Sequence, residues 1–377
     1  MFESILPGPP DVMYNLEVRA ENDTSSAKVD LGVGIYRNNA GQYQELHVVK
    51  EAKEILAQND PGHDYEVTTG NELFLRNAAE LMFGKDCPRL SSNHIASVQT
   101  ISGTGAVHLA ASLLTQLSPT TNPPTVYTYC DSTKRSIDFP AILRAARDAP
   151  SGSVFILQGC CHNPTGADPS PAQWDELALC LKQGGHLPLL DVAYQGLGDG
   201  LEEDVYSVRA FARLGFDMLV CQSFSKDFAL YGERCGALHA VCGDARQAAN
   251  VRDRLRCLIR WEFSSAPTFG SRLVNITLGS DALTTQWQEE LGAMQQRIKT
   301  LRQELYFLLA HQLQTPGDWS HITRETRLFS YLMLTPAQCK KLIDKYHIYL
   351  PPNGRINVSG LNESNLGKVA TAIDQVV

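Results

Sequence analysis

Five short apolar runs mark the middle of the chain: TVYTY (125–129), SVFILQ (153–158), LPLLDV (187–192), MLVCQS (218–223) and GALHAV (236–241). Helical patterns lie among them. GAVHLAASLLTQL (105–117) and SPAQWDELALCLKQGG (170–185) repeat apolar residues three and four apart, the period of one helix face. The second has Ser170 as N-cap, Pro171 in its first turn and Gly184 as its stop. VKEAKEILAQ (49–58) and NELFLRNAAELMFG (71–84) follow the same period, and Gly84 ends the latter. Apolar strands alternating with helices predict a mostly parallel sheet covered on both faces.

The pattern changes after about residue 280. Trp287, Leu291, Met294, Ile298, Leu301, Leu305 and Leu308 form one apolar stripe of a long helix. Residues 313–377 mix both patterns, and residues 1–30 read as a polar extended arm. The expected fold is α/β: a large domain with a mostly parallel mixed sheet flanked by helices, plus a smaller α+β domain. Residues 1–40 supply the arm and part of the small domain, 41–285 the large domain and 286–377 the rest of the small one.

Composition narrows the class. With 43% apolar and 20% charged residues over 377, the chain is an ordinary globular one. Its net charge of −8 and lack of a basic block argue against nucleic acid or an anionic membrane as partner. No apolar run approaches the ~18 residues of a membrane span. The N-terminus MFESILPGPPDV lacks the pattern of a signal or transit peptide. The 10 cysteines contain no C-x-x-C and are irregularly spaced, as expected of reduced thiols in the cytoplasm. No spacing suggests a metal site.

Candidate chemistry gathers at strand ends. SVFILQ leads into GCCHNPTG (159–166), LPLLD ends on Asp191 with Tyr194 close behind, and MLVCQS runs into SFSKD with Lys226. Ligands of open α/β sheets bind at the carboxyl ends of strands. Ser102-Gly103-Thr104-Gly105 opens the helix at 105–117, where backbone N–H groups and hydroxyls suit a phosphate, although the same composition is also an ordinary cap. LGVGIYR (31–37) and SGTGAVH (102–108) each lack the third glycine of a dinucleotide fingerprint. A lysine, a carboxylate, an asparagine, a tyrosine and a phosphate cradle together fit pyridoxal 5′-phosphate. That cofactor needs an amine for its aldehyde and a carboxylate for its ring nitrogen.

HNPTG, D-x-A-Y, S-x-S-K and Y-x-E-R-x-G occur in this order, and with them the sequence resembles the class I, fold-type I aminotransferases, closest to the aspartate aminotransferase branch. The resemblance spans nearly the whole chain, from MFE (1–3) to GRINVSG (354–360). It implies that Lys226 carries the cofactor through a Schiff base and moves the substrate proton, for which its pKa must be lowered by burial. Asp191 is implied at the ring nitrogen, and Asn163 and Tyr194 at the 3′-oxygen. Ser102, Gly103, Thr104, Ser223 and Arg234 are implied around the phosphate, joined by Tyr65 from the other subunit of a homodimer. Arg355, with Gly34 and Asn163, is implied at the substrate α-carboxylate. Arg260 looks like the arginine lent across the dimer to a distal carboxylate. Two arginines imply aspartate, glutamate, oxaloacetate and 2-oxoglutarate as substrates in amino-acid metabolism. His162 reads as a packed histidine behind Asn163.

The sequence also departs from that pattern. TVYTYC runs straight into DSTKRSIDF, so about two dozen residues of the family's pattern are absent after residue 130, near a β-α unit in size. The tryptophan that stacks on the cofactor ring goes with them; Thr133 and its neighbours are not aromatic. Gln158 stands where the family usually has a histidine, and Phe263 replaces a tyrosine. SSAPTFG (264–270) and TRLFSYLML (326–334) also depart from the usual segments. A degenerate paralogue with weak or no activity and an aminotransferase for aromatic amino acids are the alternatives to an enzyme for acidic ones. Elimination or decarboxylation on the same cofactor is a weaker one.

Overall fold

The computed structural model of the chain describes residues 2, 5–117, 125–131, 135–325 and 327–377. Four of the five apolar runs are strands of one five-stranded sheet. In chain order its strands are β1 (Ile95–Ile101), β2 (Val154–Gln158), β3 (Leu187–Val192), β4 (Met218–Ser223) and β5 (Cys235–Val241). They lie side by side as β1-β5-β4-β3-β2. β2, β3 and β4 pair in parallel, with Gln158 opposite Asp191 and Asp191 opposite Cys221. β5 runs antiparallel to both β4 and β1, so one strand opposes four. This is the expected mostly parallel mixed sheet.

Helices cover both faces of it. Leu238 of β5 shares a core with Leu109 and Leu113 of α1 (Ser102–Leu117). Leu255 and Ile259 of Ala245–Glu262 join the same core. The next residue, His239, points the other way, as successive strand residues must. It meets Phe83 of helix Glu72–Phe83 edge-on, with ring centroids 5.6 Å apart. Each large apolar side chain so buried contributes roughly 1.5–3 kcal/mol. The helix after β2 starts as its sequence predicts. The Ser170 hydroxyl accepts the Gln173 N–H at 3.3 Å, and the Gln173 side chain accepts the Ser170 N–H at 2.9 Å.

Three expectations need correction. TVYTY (125–129) is not a strand. Instead, the Tyr129 hydroxyl donates to the Ala167 carbonyl at 2.9 Å, and the Tyr129 carbonyl accepts the Asp138 N–H at 2.9 Å. β2 is therefore the sheet's edge, with Val154 42% and Ile156 61% exposed. The arm at 1–30 contains a helix, Val12–Asn22, whose N-cap Asp11 accepts the N–H groups of Met13 and Tyr14. β1 is a strand among the described residues that no apolar run foretold, because it buries Gln99 and Thr100 beside Val98.

The chain divides into two compact units: residues 44–163 with 167–296, which hold the sheet, and residues 1–43, 164–166 and 297–377. In the second unit Arg355–Asn357 pairs antiparallel with Phe329–Tyr331, and Val29–Asp30 pairs in parallel with Ile348–Tyr349. Its core holds a buried ion pair. Arg302 Nη1 donates to Glu325 at 2.9 Å, and Arg302 also donates to the carbonyls of Ile322, Arg327 and Phe329. Among the described residues no helix is long and apolar enough to cross a membrane.

Candidate active site

The sheet unit draws the predicted cofactor residues to the ends of its strands. Ser102 follows β1 with φ of +60°, and Arg234 precedes β5 with φ of +51°. The Ser102 N–H donates to the Arg234 carbonyl at 2.8 Å, which fixes the two turns together. Gly236 is required here: a Cβ on it would lie 2.6 Å from the Ser102 carbonyl carbon. Behind this turn three buried hydroxyls form a triangle. Ser102 Oγ lies 3.3 Å from Ser223 Oγ and 3.1 Å from Ser225 Oγ, and the last two are 3.1 Å apart. Ser225 was not foreseen, although S-x-S-K carries it in plain view. Gly103 keeps the space open, since a Cβ there would meet Ser223 Cβ at 3.0 Å and Asp191 Oδ1 at 3.8 Å. Thr104 begins the exposed side of the helix.

Lys226 stands beside this cradle, its Nζ 4.9 Å from the ring centroid of buried Tyr194. Burial lowers its pKa below the ordinary lysine value; Asp191 opposes this and the Arg234 charge adds to it. Burial raises Asp191 above the usual carboxylate range, with Lys226 opposing. Asp227, beside Lys226, is fully buried, and burial pushes its carboxyl well above the usual carboxylate range. Its Oδ1 accepts the Phe228 N–H at 3.0 Å.

Asn163 is held by Gln158. The Gln158 side-chain amide donates to the Asn163 carbonyl at 2.9 Å and its oxygen accepts the Asn163 N–H at 2.7 Å. His162 stacks on Tyr129, with centroids 3.6 Å apart and planes 9° apart. Burial lowers its pKa to about 4, so it is neutral. Thr133 lies outside the described residues.

Tyr65 is 86% exposed on its loop. Arg260, also exposed, donates to the Ser264 hydroxyl at 2.5 Å. Gly34 and Arg355 belong to the second unit. There the Arg355 guanidinium lies 4.4 Å over the Phe329 ring and donates to the Gly32 carbonyl at 2.6 Å. A Cβ on Gly34 would lie 3.0 Å from the edge of that ring. Asn357 pins the same segment by donating to the carbonyls of Val33 and Ile35.

The pattern of the family described as aminotransferase class I and II matches residues 26–122 and 121–373. The chain belongs to this family. Over all of its length it is 41% identical to the aminotransferase tasG of Hapsidospora irregularis, covering 96% of that protein. It is 36% identical to the chloroplastic aspartate aminotransferase of Arabidopsis thaliana, over 99% of this chain and 87% of the relative. In fold it is similar to the aromatic-amino-acid aminotransferase of Burkholderia pseudomallei, with a TM-score of 0.96, 33% identity, and coverage of 100% of this chain and 99% of that one. That relative holds pyridoxal phosphate covalently. The α/β transferase fold, the enzyme class and the cofactor expected from the sequence are thus borne out.

Proposed function

We propose that the aminotransferase moves an amino group between aspartate or glutamate and a 2-oxo acid, 2-oxoglutarate or oxaloacetate, using pyridoxal 5′-phosphate. One observation carries the reading: half-buried Lys226, its pKa lowered, interacts with half-buried Asp191 close to the buried Ser102–Ser223–Ser225 triangle. This donor set fits the cofactor. The hydroxyls, the first N–H groups of α1 and Arg234 suit its phosphate, Asp191 its ring nitrogen and Lys226 its aldehyde. When bound, the cofactor supplies an electron sink for the bonds at the substrate α-carbon.

The chain's own residues do the rest. Lys226 Nζ, whose pKa burial lowers, would take and return the substrate α-proton. Asp191 would face the ring nitrogen and favour its protonation. The Tyr194 hydroxyl and Asn163 would hold the 3′-oxygen. Thr104 adds a donor at the helix start, and Tyr65 serves the phosphate from a second copy. Arg355, with Gly34 and Asn163, takes the α-carboxylate, and Arg260 of a second copy takes the distal one.

A homodimer follows from those last roles. Tyr65, Val67, Leu73, Trp261 and Phe269 are all large, exposed and in the sheet unit, which supports a covered face there. The ten cysteines are free thiols, which suits the reducing cytoplasm.

Reconstituted protein should show a cofactor absorbance band that is lost in Lys226→Ala. It should turn over aspartate with 2-oxoglutarate at about 1–10³ per second. A folded protein without either property refutes the reading. The Burkholderia similarity favours aromatic donors as the second reading; faster turnover of phenylalanine than of aspartate would establish it.

A further inference from the structure

Two adjacent cysteines lead into the Asn163 segment, and the amino-group chemistry uses neither. In extended backbone, neighbouring side chains point to opposite sides. Here they do not. Cys161 has φ of +55°, a left-handed conformation that residues with a β-carbon rarely adopt. The turn brings its thiol back against that of Cys160. Asp204 completes the group. The two sulfurs and a carboxylate oxygen lie within 4.8 Å of one another, and all three residues are buried.

The carboxylate is fixed in place. Asp204 Oδ2 accepts the N–H groups of Gly196 and Gly198, and Oδ1 accepts that of Asp199, each at 2.9 Å. Outer hydrogen bonds of this kind orient metal-ligating carboxylates. A second acid, Asp168, holds the cysteine backbone by accepting the N–H groups of Cys161 at 2.5 Å and His162 at 2.8 Å. His162 and Asn163, next along the chain, are only half-buried, so the pair lies just beneath the surface.

We propose that Cys160, Cys161 and Asp204 form a binding site for a thiophilic divalent cation, with zinc as its physiological representative. Two sulfur donors select zinc or cadmium over magnesium or calcium. Zinc–sulfur and zinc–oxygen bonds of about 2.3 and 2.0 Å place tetrahedral donors roughly 3.5–3.8 Å apart. Atoms within 4.8 Å of one another therefore need to close by at most about 1.3 Å to ligate. Each thiol releases its proton to solvent as its sulfur–metal bond forms, and water takes the fourth position. The Cys161 thiol otherwise donates to the Tyr194 carbonyl at 3.5 Å. Loading thus removes a contact beneath Tyr194, two residues before Gly196, whose N–H the Asp204 carboxylate accepts, and it pulls on the segment that carries Asn163.

The test uses full-length holoenzyme produced in zinc-supplemented medium, desalted, and read by native mass spectrometry and atomic absorption. Cys160→Ser and Cys161→Gly are compared with it; glycine suits the left-handed φ, so the second variant keeps its fold. Retained cofactor absorbance checks folding in both. The expected result is about one zinc per chain in the natural protein and at least a tenfold lower content in both variants. Cadmium exchange should add a thiolate-to-cadmium charge-transfer band in the natural protein alone. No retained zinc in the natural protein, or equal retention in the folded variants, overturns the proposal.

Discussion

Gln158 and Asn163 bind each other twice, side-chain amide to carbonyl at 2.9 Å and backbone N–H to side-chain oxygen at 2.7 Å. A two-point clamp fixes both the position and the orientation of the Asn163 backbone. Gln158→Leu keeps the size and removes both bonds. The expected cost is about 1–3 kcal/mol in urea unfolding, with a drop in kcat/KM of roughly tenfold for each 1.4 kcal/mol of lost positioning. Unchanged kinetics would show that the clamp is only structural.

The hydroxyl triangle predicts cofactor affinity. Hydrogen bonds to charged groups are worth about 1.5–3 kcal/mol. Ser225→Ala should therefore weaken pyridoxal phosphate binding at least about tenfold, measured by equilibrium dialysis. Ser223→Ala should do the same, and the double variant should lose less than the sum, because the hydroxyls share one site.

Lys226 predicts a pH dependence. Its lowered pKa means that cofactor capture rises with pH and levels off below 10.5, the ordinary lysine value. Asp191 raises the Lys226 pKa, so Asp191→Asn should shift that midpoint further down. Initial rates of absorbance change across pH would check both. A midpoint at the ordinary value would remove the argument for a desolvated amine.

Two histidines predict acid sensitivity. Burial lowers His162 to about 4 and His239 to about 3. Below pH 6.5 the unfolded chain binds protons that the folded chain refuses, so stability falls as pH drops from 6.5 toward 4. His162→Phe keeps a ring against Tyr129 and should flatten this slope. Urea titrations at several pH values measure it.

The buried Arg302–Glu325 pair predicts a large loss of stability. Glu325→Ala leaves a guanidinium buried without its counter-charge, at a cost of about 3–5 kcal/mol. Thermal unfolding should show it without a change in the cofactor spectrum.

Much of the sheet unit was legible in the sequence. β2, β3 and β4 are short, apolar and followed by chemistry, so their ends pointed to the segment of Asn163, to Asp191 and to Lys226. β1 was not legible, because a strand buried on both faces can hide Gln99 and Thr100 when hydrogen bonds satisfy them: Gln99 Nε2 donates to the Pro267 carbonyl at 2.7 Å. Helix Val12–Asn22 was missed since it buries only Leu16 and Ala20. TVYTY misled in the other direction; strand-forming residues make a strand only beside a partner. Left-handed turns at Ser102, Cys161 and Arg234 leave no composition signal, as none is glycine.

The triangle at Ser102, Ser223 and Ser225 joins positions 121 and 123 residues apart along the chain. No fragment ending before β4 can contain it. Contacts of such long sequence separation form late, after the loop between them has closed. Specific capture of the cofactor should then act as a clock for maturation: it starts when the sheet zips shut, and a nascent chain still lacking residue 223 has only the Ser102 hydroxyl of this triangle.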